Sequence, residues 1–438
     1  MINIITLGCS KNTVDSEFVA GKLESCGQTI YFDRKQNDCD IVIINTCGFI
    51  GDAKEESINV ILEQCEVKNR GRKERLLVVC GCLVERYKKE LKREMPEVDL
   101  WYGVHEWDKM VTAIKRRIKN SVHRTQRNAD DSLCRKVSTP KHYAYLKISE
   151  GCDRHCSYCA IPLIRGRHIS RPIEELVAEA KTLAQNGVKE LIVIAQDTTY
   201  YGLDLYKRRA LGELLERLAN ESGAEWIRLH YTFPTSFPQD AIEVMRRHDN
   251  ICNYIDIPLQ HISSNILRSM QRGIDKEGTL QLLQQFREKL PDACVRTTLI
   301  VGYPGETEKE FQELKGFVAQ ARFDRMGVFA YSPEEHTPAE PLGDPVPDEV
   351  KQARIDELMA LQESISMEIN QAKIGKQFKV LIDRREGDYF VGRTEYDSPE
   401  IDDEVLIPVA DGNLKIGQFY TATITDAVEH DLFAKIQN

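Results

Sequence analysis

Apolar runs of strand length alternate with amphipathic polar stretches over roughly the first quarter of the chain. "INIITLG", "DIVIINTCG" and "LLVVCGC" have strand character, and helical stretches such as "DSEFVAGKLESCG" and "AKEESINVILEQC" follow them. Strand–helix alternation of this kind predicts an α/β segment, a doubly wound parallel sheet with helices on both faces. A charged stretch with little apolar periodicity then reads as a linker. From Tyr143 to Pro341 the strand candidates are "AYLKIS", "ELIVIAQD", "WIRLHYT", "YIDIPLQ", "RTTLIVGYP" and "RMGVFAYS", with amphipathic helical stretches between most of them. Six β/α units predict a partial (β/α)6 barrel, whose chemistry gathers at the carboxyl ends of its strands. A helix follows in which Ile355, Leu358, Leu361 and Ile365 recur at helical spacing, a face expected to pack on the barrel. The last segment has short alternating runs punctuated by Gly and Asp, which predict a small antiparallel β-barrel of five strands. The expected domains are 1–117, a linker over 118–140, a core with its trailing helix over 141–372, and 373–438.

Composition narrows the class. The 438 residues are 42% hydrophobic and 29% charged, ordinary for a folded globular chain. No window approaches the roughly 18 uninterrupted apolar residues of a membrane span, and "MINIITLGCSKN" lacks the basic start of a signal peptide. A cytoplasmic location without membrane contact is expected. Thirteen cysteines diluted through so long a chain point to metal ligands, catalytic thiols or buried small residues rather than a disulfide framework.

The candidate chemistry begins with "EGCDRHCSYCAIP". Cys152, Cys156 and Cys159 fit CxxxCxxC, with Tyr158 just before the last cysteine, in the loop beyond the first barrel strand. Thiolates suit iron–sulfur clusters or zinc, and a 4Fe–4S cluster ordinarily takes four ligands. Three would leave one iron open; the alternatives are a zinc site with a distant fourth ligand and buried structural cysteines. The run resembles that of the radical S-adenosylmethionine enzymes. The resemblance implies a cofactor chelated by the open iron and cleaved to a 5′-deoxyadenosyl radical, with Tyr158 packed near its adenine. "TLIVGYPGET" resembles the strand end that borders the cofactor in that family, although Gly302 and Gly305 alone could equally make a turn.

A second trio lies in the first segment: Cys9 in "GCSKN", Cys47 in "NTCGF" and Cys82 in "CGCLVERY", each just beyond an apolar strand candidate. Loops at the carboxyl ends of parallel strands converge on one crevice, so three thiolates far apart in sequence can meet there, with buried cysteines as the alternative. "LGCSKNTVDSE", "NTCGFI" and "GCLVERY" resemble the N-terminal domain of methylthiotransferases, in which such cysteines hold a second 4Fe–4S cluster. Cys82 rather than Cys80 sits where the family ligand falls. Cys26, Cys39, Cys65, Cys134, Cys252 and Cys294 have no such context and are expected to be unligated.

The resemblance implies S-adenosylmethionine as both methyl donor and radical source, together with an electron donor and a sulfur donor. Arg165 and Arg167 are candidate carboxylate binders, or else partners of structural acids. Gln196 and Asp197 are candidates for cofactor or substrate contact, or for loop capping. His155 is left unassigned, and no catalytic acid or base is identified.

Methylthiotransferases act on tRNA bases or on a ribosomal protein, and the C-terminal segment, which resembles a TRAM domain, bears on that choice. From Ile374 onward it carries seven basic and thirteen acidic residues, and the whole chain has a net charge of −10. Acid in excess repels phosphates and suits a basic protein partner, so a small-subunit ribosomal protein, free or on the ribosome, is expected and direct RNA binding is not. "AQDTTYYGLDLY", "YIDIPLQHIS", "FAYSPEEHTPA" and "GRTEYDSPEIDDEVLI" complete a full-length resemblance to the ribosomal-protein aspartate methylthiotransferases. That family modifies the β-carbon of one aspartate in the twelfth small-subunit protein, giving 3-methylthioaspartate. A tRNA base methylthiotransferase is the chief alternative, and a two-cluster electron carrier is a third.

Overall fold

The computed structural model describes residues 1–36, 38–71, 74–119 and 135–436. In it the first apolar runs form a five-stranded parallel sheet in the order Ile30–Phe32, Ile2–Thr6, Ile41–Thr46, Leu76–Gly81, Leu100–Tyr102. Successive side chains of a strand face opposite ways. Ile41, Ile43, Val78 and Cys80 therefore join one core with Val19, Leu23, Met110 and Ile114, while Val42, Ile44, Leu77 and Val79 join another with Ile61, Leu83 and Leu91. Sheet growth reverses after Ile2–Thr6, which puts a topological switch between that strand and Ile41–Thr46. In sheets of this order ligands bind beyond the carboxyl ends of the strands at the switch.

This first compact unit comprises Met1–Thr139, Glu150–Arg154 and Ala160–His168. Of the expected linker, residues 118–119 and 135–140 are described. The helix Trp107–Lys119 runs into its start, and at its end Arg135 and Ser138 bond the fully buried carboxylate of Glu17. Residues 120–134, Cys134 among them, lie outside the described residues.

The second unit comprises Pro140–Ser149, His155–Cys159 and Ile169–Asn438. Its core strands are Tyr143–Lys147, Glu190–Ile194, Trp226–Leu229, Tyr254–Asp256, Cys294–Val301 and Arg325–Ala330. They form two parallel three-stranded sheets. Loop hydrogen bonds bring the two sheets together, as from Thr232 N to Asp256 O (3.0 Å) and Tyr231 N to Asp256 Oδ2 (2.8 Å), and a partial barrel results. The helix Asp348–Gln371 packs on the last strand and buries Leu358 and Ile365 as expected.

The C-terminal segment closes into a five-stranded barrel. Four of its pairings are antiparallel as expected; the fifth, Glu404–Pro408 with Asp431–Ile436, is parallel.

All six core strands begin on this small barrel. Tyr143 bonds Glu400 (3.0 Å), Tyr254 bonds Asp402 (2.6 Å), and the Trp226 ring meets Phe419 edge-on. Cys294 shares an apolar cluster with Leu381 and Tyr396. Glu190 binds Arg393 (2.8 Å) and Arg325 binds Asp397 (2.6 Å) and Asp403 (2.9 Å). Many acids of the C-terminal segment are thus internal partners of the core rather than surface charge. Six of its seven bases are exposed, but only five of its thirteen acids: Glu386, Asp388, Glu400, Asp411 and Asp426. The repulsive acidic surface inferred from composition is not displayed, because composition does not say which charges face inward.

Candidate functional site

In the first unit the three cysteines follow three neighbouring strands. Cys9 caps the helix Ser10–Glu24, Cys47 follows Ile41–Thr46, and Cys82 opens the helix Cys82–Glu94. Close approach depends on glycine. A Cβ on Gly8 (φ +87°) would lie 2.7 Å from Cys47 Cβ and 2.9 Å from its Sγ. Gly81 (φ +102°) permits equally close contact with Asn45 and Thr46. Asn12 ties the loops together, donating to Leu7 O (2.8 Å) and Thr46 O (3.2 Å) and accepting from Cys82 Sγ (3.7 Å). Cys47 is anchored by Ser57, and Arg86 donates to Gly48 O (3.1 Å).

Cys9 is exposed, and Cys47 and Cys82 are buried. Burial pushes the Cys82 thiol up to about 12, although Arg165 pulls it back, and burial also raises Cys47. Each of the two thiols feels the Cys9 charge, and Cys82 feels that of Cys47. Cys80 instead sits in the core with its Sγ on Ile44 O (3.4 Å), two residues and one strand end short of the crevice.

Arg165 enters this site as a structural partner. Its Nη1 binds Asp15 (2.7 Å) and Glu150 (3.1 Å), and its Nη2 binds Asn12 Oδ1 (2.5 Å). Of its two alternatives this is the second, pairing with structural acids. Arg167 is exposed, 3.6 Å from Asp153. Ala160 and Ile164 pack against Cys82 and Val104.

The CxxxCxxC run contributes Cys152 to the first unit and Cys156 and Cys159 to the second. Gly151 (φ +74°) lies against Arg167 O, where a Cβ would approach to 2.0 Å, and Cys152 N bonds Gly166 O (3.1 Å). In the second unit Ser157 holds the loop, with its N on Met270 O (3.0 Å) and its Oγ on Ser269 O (2.8 Å) and Tyr303 Oη (2.9 Å). Tyr158 packs against Ile266, Met270, Tyr303 and Tyr331, and burial raises its phenol.

Arg272 reaches this loop, donating from Nη1 to Cys156 Sγ (3.4 Å) and Tyr158 Oη (3.3 Å). Sequence reasoning passed over Arg272, Asn12 and Glu150, whose only prior signal is proximity to a cysteine motif or a helix end.

Other strand ends supply the rest of this face. Gln196 is half-buried just beyond Glu190–Ile194. Its neighbour Asp197 accepts from Thr199 N (2.9 Å) and Oγ1 (2.6 Å), which is loop capping. Tyr231 (φ +56°) and Gln260 (φ +74°) hold left-handed backbone at two further strand ends, a strained conformation for non-glycine residues and a recurrent mark of functional sites. Gly302 (φ +75°) is both turn and close contact, since a Cβ there would strike Lys351 Cγ at 2.4 Å. Its N–H donates to Glu306 Oε2 (2.9 Å), and the Arg354 guanidinium binds the other Glu306 oxygen (2.6 Å).

Among the described residues no three His, Cys, Asp or Glu side chains are gathered as a single-ion site. The candidate donors are soft thiols, the ligand class that iron–sulfur clusters take. Among the described residues no helix is long and apolar enough to cross a membrane.

Three family models match: the Radical SAM superfamily over 146–318, the Uncharacterized protein family UPF0004 over 1–103, and the TRAM domain over 374–436. The chain is 55% identical to the ribosomal protein uS12 methylthiotransferase RimO of Phocaeicola vulgatus, covering 99% of each. It is 49% identical to that of Cytophaga hutchinsonii, over 99% of this chain and 97% of the relative. Among solved structures, the radical S-adenosylmethionine methyltransferase TsrM from Kitasatospora setae aligns with a TM-score of 0.55 at 14% identity. That alignment covers 77% of this chain and 74% of TsrM, a likeness of fold alone.

Proposed function

Because this chain belongs to the ribosomal protein uS12 methylthiotransferase family, we propose that it methylthiolates the β-carbon of an aspartate of uS12, giving 3-methylthioaspartate. In this reading Cys9, Cys47 and Cys82 would hold one 4Fe–4S cluster and Cys152, Cys156 and Cys159 the other. S-adenosylmethionine would lie at the strand ends near Tyr158 and Gln196. When bound, these groups supply a radical able to take hydrogen from an unactivated carbon and a methylated sulfur to replace it. An external electron donor and a sulfur donor complete the chemistry, and a ribosomal substrate implies work in the cytoplasm.

The observation that carries the reading is the packing of Gly8 against Cys47 and of Asn12 against Cys82. It supports a common crevice for three thiols distant in sequence, and a radical enzyme that only abstracts hydrogen has no need of a second trio.

The chain's own residues then have distinct tasks. Ser157 and Tyr303 fix the loop that carries Cys156 and Cys159, and Arg354 and Glu306 fix the turn at Gly302. The C-terminal barrel covers the amino ends of the core strands, so a substrate is left the carboxyl ends, where the candidate residues are. With its charges so disposed, the C-terminal barrel does not decide between protein and RNA; the choice of uS12 rests on the relatives. The test is anaerobic reconstitution with iron and sulfide, then S-adenosylmethionine, reductant and either uS12 or unmodified tRNA. A methylthio group on a uS12 aspartate is expected, and modification of tRNA alone would overturn the assignment.

A further inference from the structure

Arg272 is a buried cation with no counter-ion among the described residues. It is 4% exposed and stands between two left-handed residues, Gln271 (φ +55°) and Gly273 (φ +67°), which turn the backbone sharply beyond the helix Ser264–Ser269. Its Nη1 donates to Cys156 Sγ and Tyr158 Oη, its Nη2 to Pro258 O, and its guanidinium lies 4.0 Å over the Phe233 ring. Its Nε is buried with no hydrogen-bond partner. Among the described residues no carboxylate lies within ion-pair distance of it; Asp197 acts on it only at longer range, with one oxygen taken by Thr199.

Five other buried arginines contrast with it. Arg165 has Asp15, Arg228 has Glu190, Arg325 has Asp397, Arg354 has Glu306 and Arg393 has Asp383. A guanidinium taken from water without an anion is costly, and such groups persist where a charge compensates them. Here the sulfur it touches, Cys156 Sγ, belongs to the CxxxCxxC run.

We propose that Arg272 is the fixed counter-charge of the iron–sulfur site at Cys152, Cys156 and Cys159, and that it makes that site easier to reduce. The inference rests on the ligand assignment given under the proposed function. Reduction adds one electron from a one-electron donor and makes the site one unit more negative. The guanidinium stays charged throughout, so no proton moves. A permanent positive charge with an N–H donated to a ligand sulfur stabilises the more negative state, as hydrogen bonds to cluster sulfurs generally do. Arg272 is thus a positioning and tuning residue; it acts through Cys156 and need not touch a substrate.

The test uses the full chain with Cys9, Cys47 and Cys82 all changed to Ala, so that a single cluster is titrated by electron paramagnetic resonance without S-adenosylmethionine. R272Q should keep its iron and show a reduced-to-oxidised ratio about tenfold lower at fixed potential, which for one electron is a negative shift of about 59 mV. R272K, which keeps the charge but lacks the fork, should shift less in the same direction. If R272Q and R272K retain iron and titrate like native Arg272, the proposal is overturned, even where binding of S-adenosylmethionine is weakened. Should R272Q lose its iron, R272K decides alone by the same two outcomes. A background that binds no iron with Arg272 in place refutes instead the ligand assignment beneath it.

Discussion

Arg165, in the first unit, and Arg272, in the second, are both buried beside proposed ligand cysteines, yet their charges are compensated in different ways. The Arg165 guanidinium binds two carboxylates, Asp15 and Glu150, and the Asn12 amide oxygen. Its charge is cancelled locally, so its main effect is to hold the first helix, the 160–168 segment and the Cys82 loop in register. Arg272 binds a thiol, a phenol and a backbone carbonyl, and its charge is left over. The same side chain serves as a frame in one place and as an electrostatic source in the other, and the acids around it decide which.

The largest separation of the two regions comes from removing their thiols. C156A should lose one cluster and all cleavage of S-adenosylmethionine, whereas C47A should lose the other cluster and retain cleavage. Iron content and 5′-deoxyadenosine release measure both. C80A is the control and should keep all its iron, because Cys80 is a core residue.

Next is stability of the metal-free protein. R165M leaves the buried Asp15 and the partly buried Glu150 without their cation and should cost about 3–5 kcal/mol in denaturant melts. R272M abandons no carboxylate and should cost clearly less; equal losses would break the comparison.

G8A is smaller. Its Cβ overlaps Cys47 at a positive φ, and overpacking of this kind costs about 1–3 kcal/mol. Iron should fall at the first trio and stay unchanged at the second.

The smallest effect lies away from both trios. Asp397 and Asp403 share Arg325. Despite burial, Arg325 holds Asp397 below the usual carboxylate range, while burial and the charge on Asp397 push Asp403 up to about 6. Between the ordinary carboxylate range and about pH 6 the folded state therefore binds more protons than the unfolded state, and Asp403 subtracts stability as pH rises through that window. D403N should gain on the native protein by about 1–2 kcal/mol between pH 4 and pH 7, read as a difference in melting that grows with pH.

Much of this organisation was legible in the chain. Local periodicity located the strands, and the strand end at Gly81 separates Cys80, which lies in the core with Val78, from Cys82, which opens the next helix. What stayed hidden depends on partners far away in sequence. Arg165 was noticed but its acids were not, because Asp15 lies 150 residues earlier. Arg272 sits at the end of a short helix with no motif of its own, and only folding brings it to Cys156. The acid excess of the C-terminal segment is plain in the sequence, but its destination is not, because the core strands start on several of those acids.

The most direct measurement is the intact mass of uS12 after incubation with reconstituted protein, S-adenosylmethionine, sulfide and reductant, in parallel with the full-length C9A/C47A/C82A variant. The account predicts that the native chain replaces one hydrogen of a uS12 aspartate by a methylthio group, while the variant releases 5′-deoxyadenosine without forming that product. Unmodified uS12 with the native chain, or full product with the variant, would contradict it.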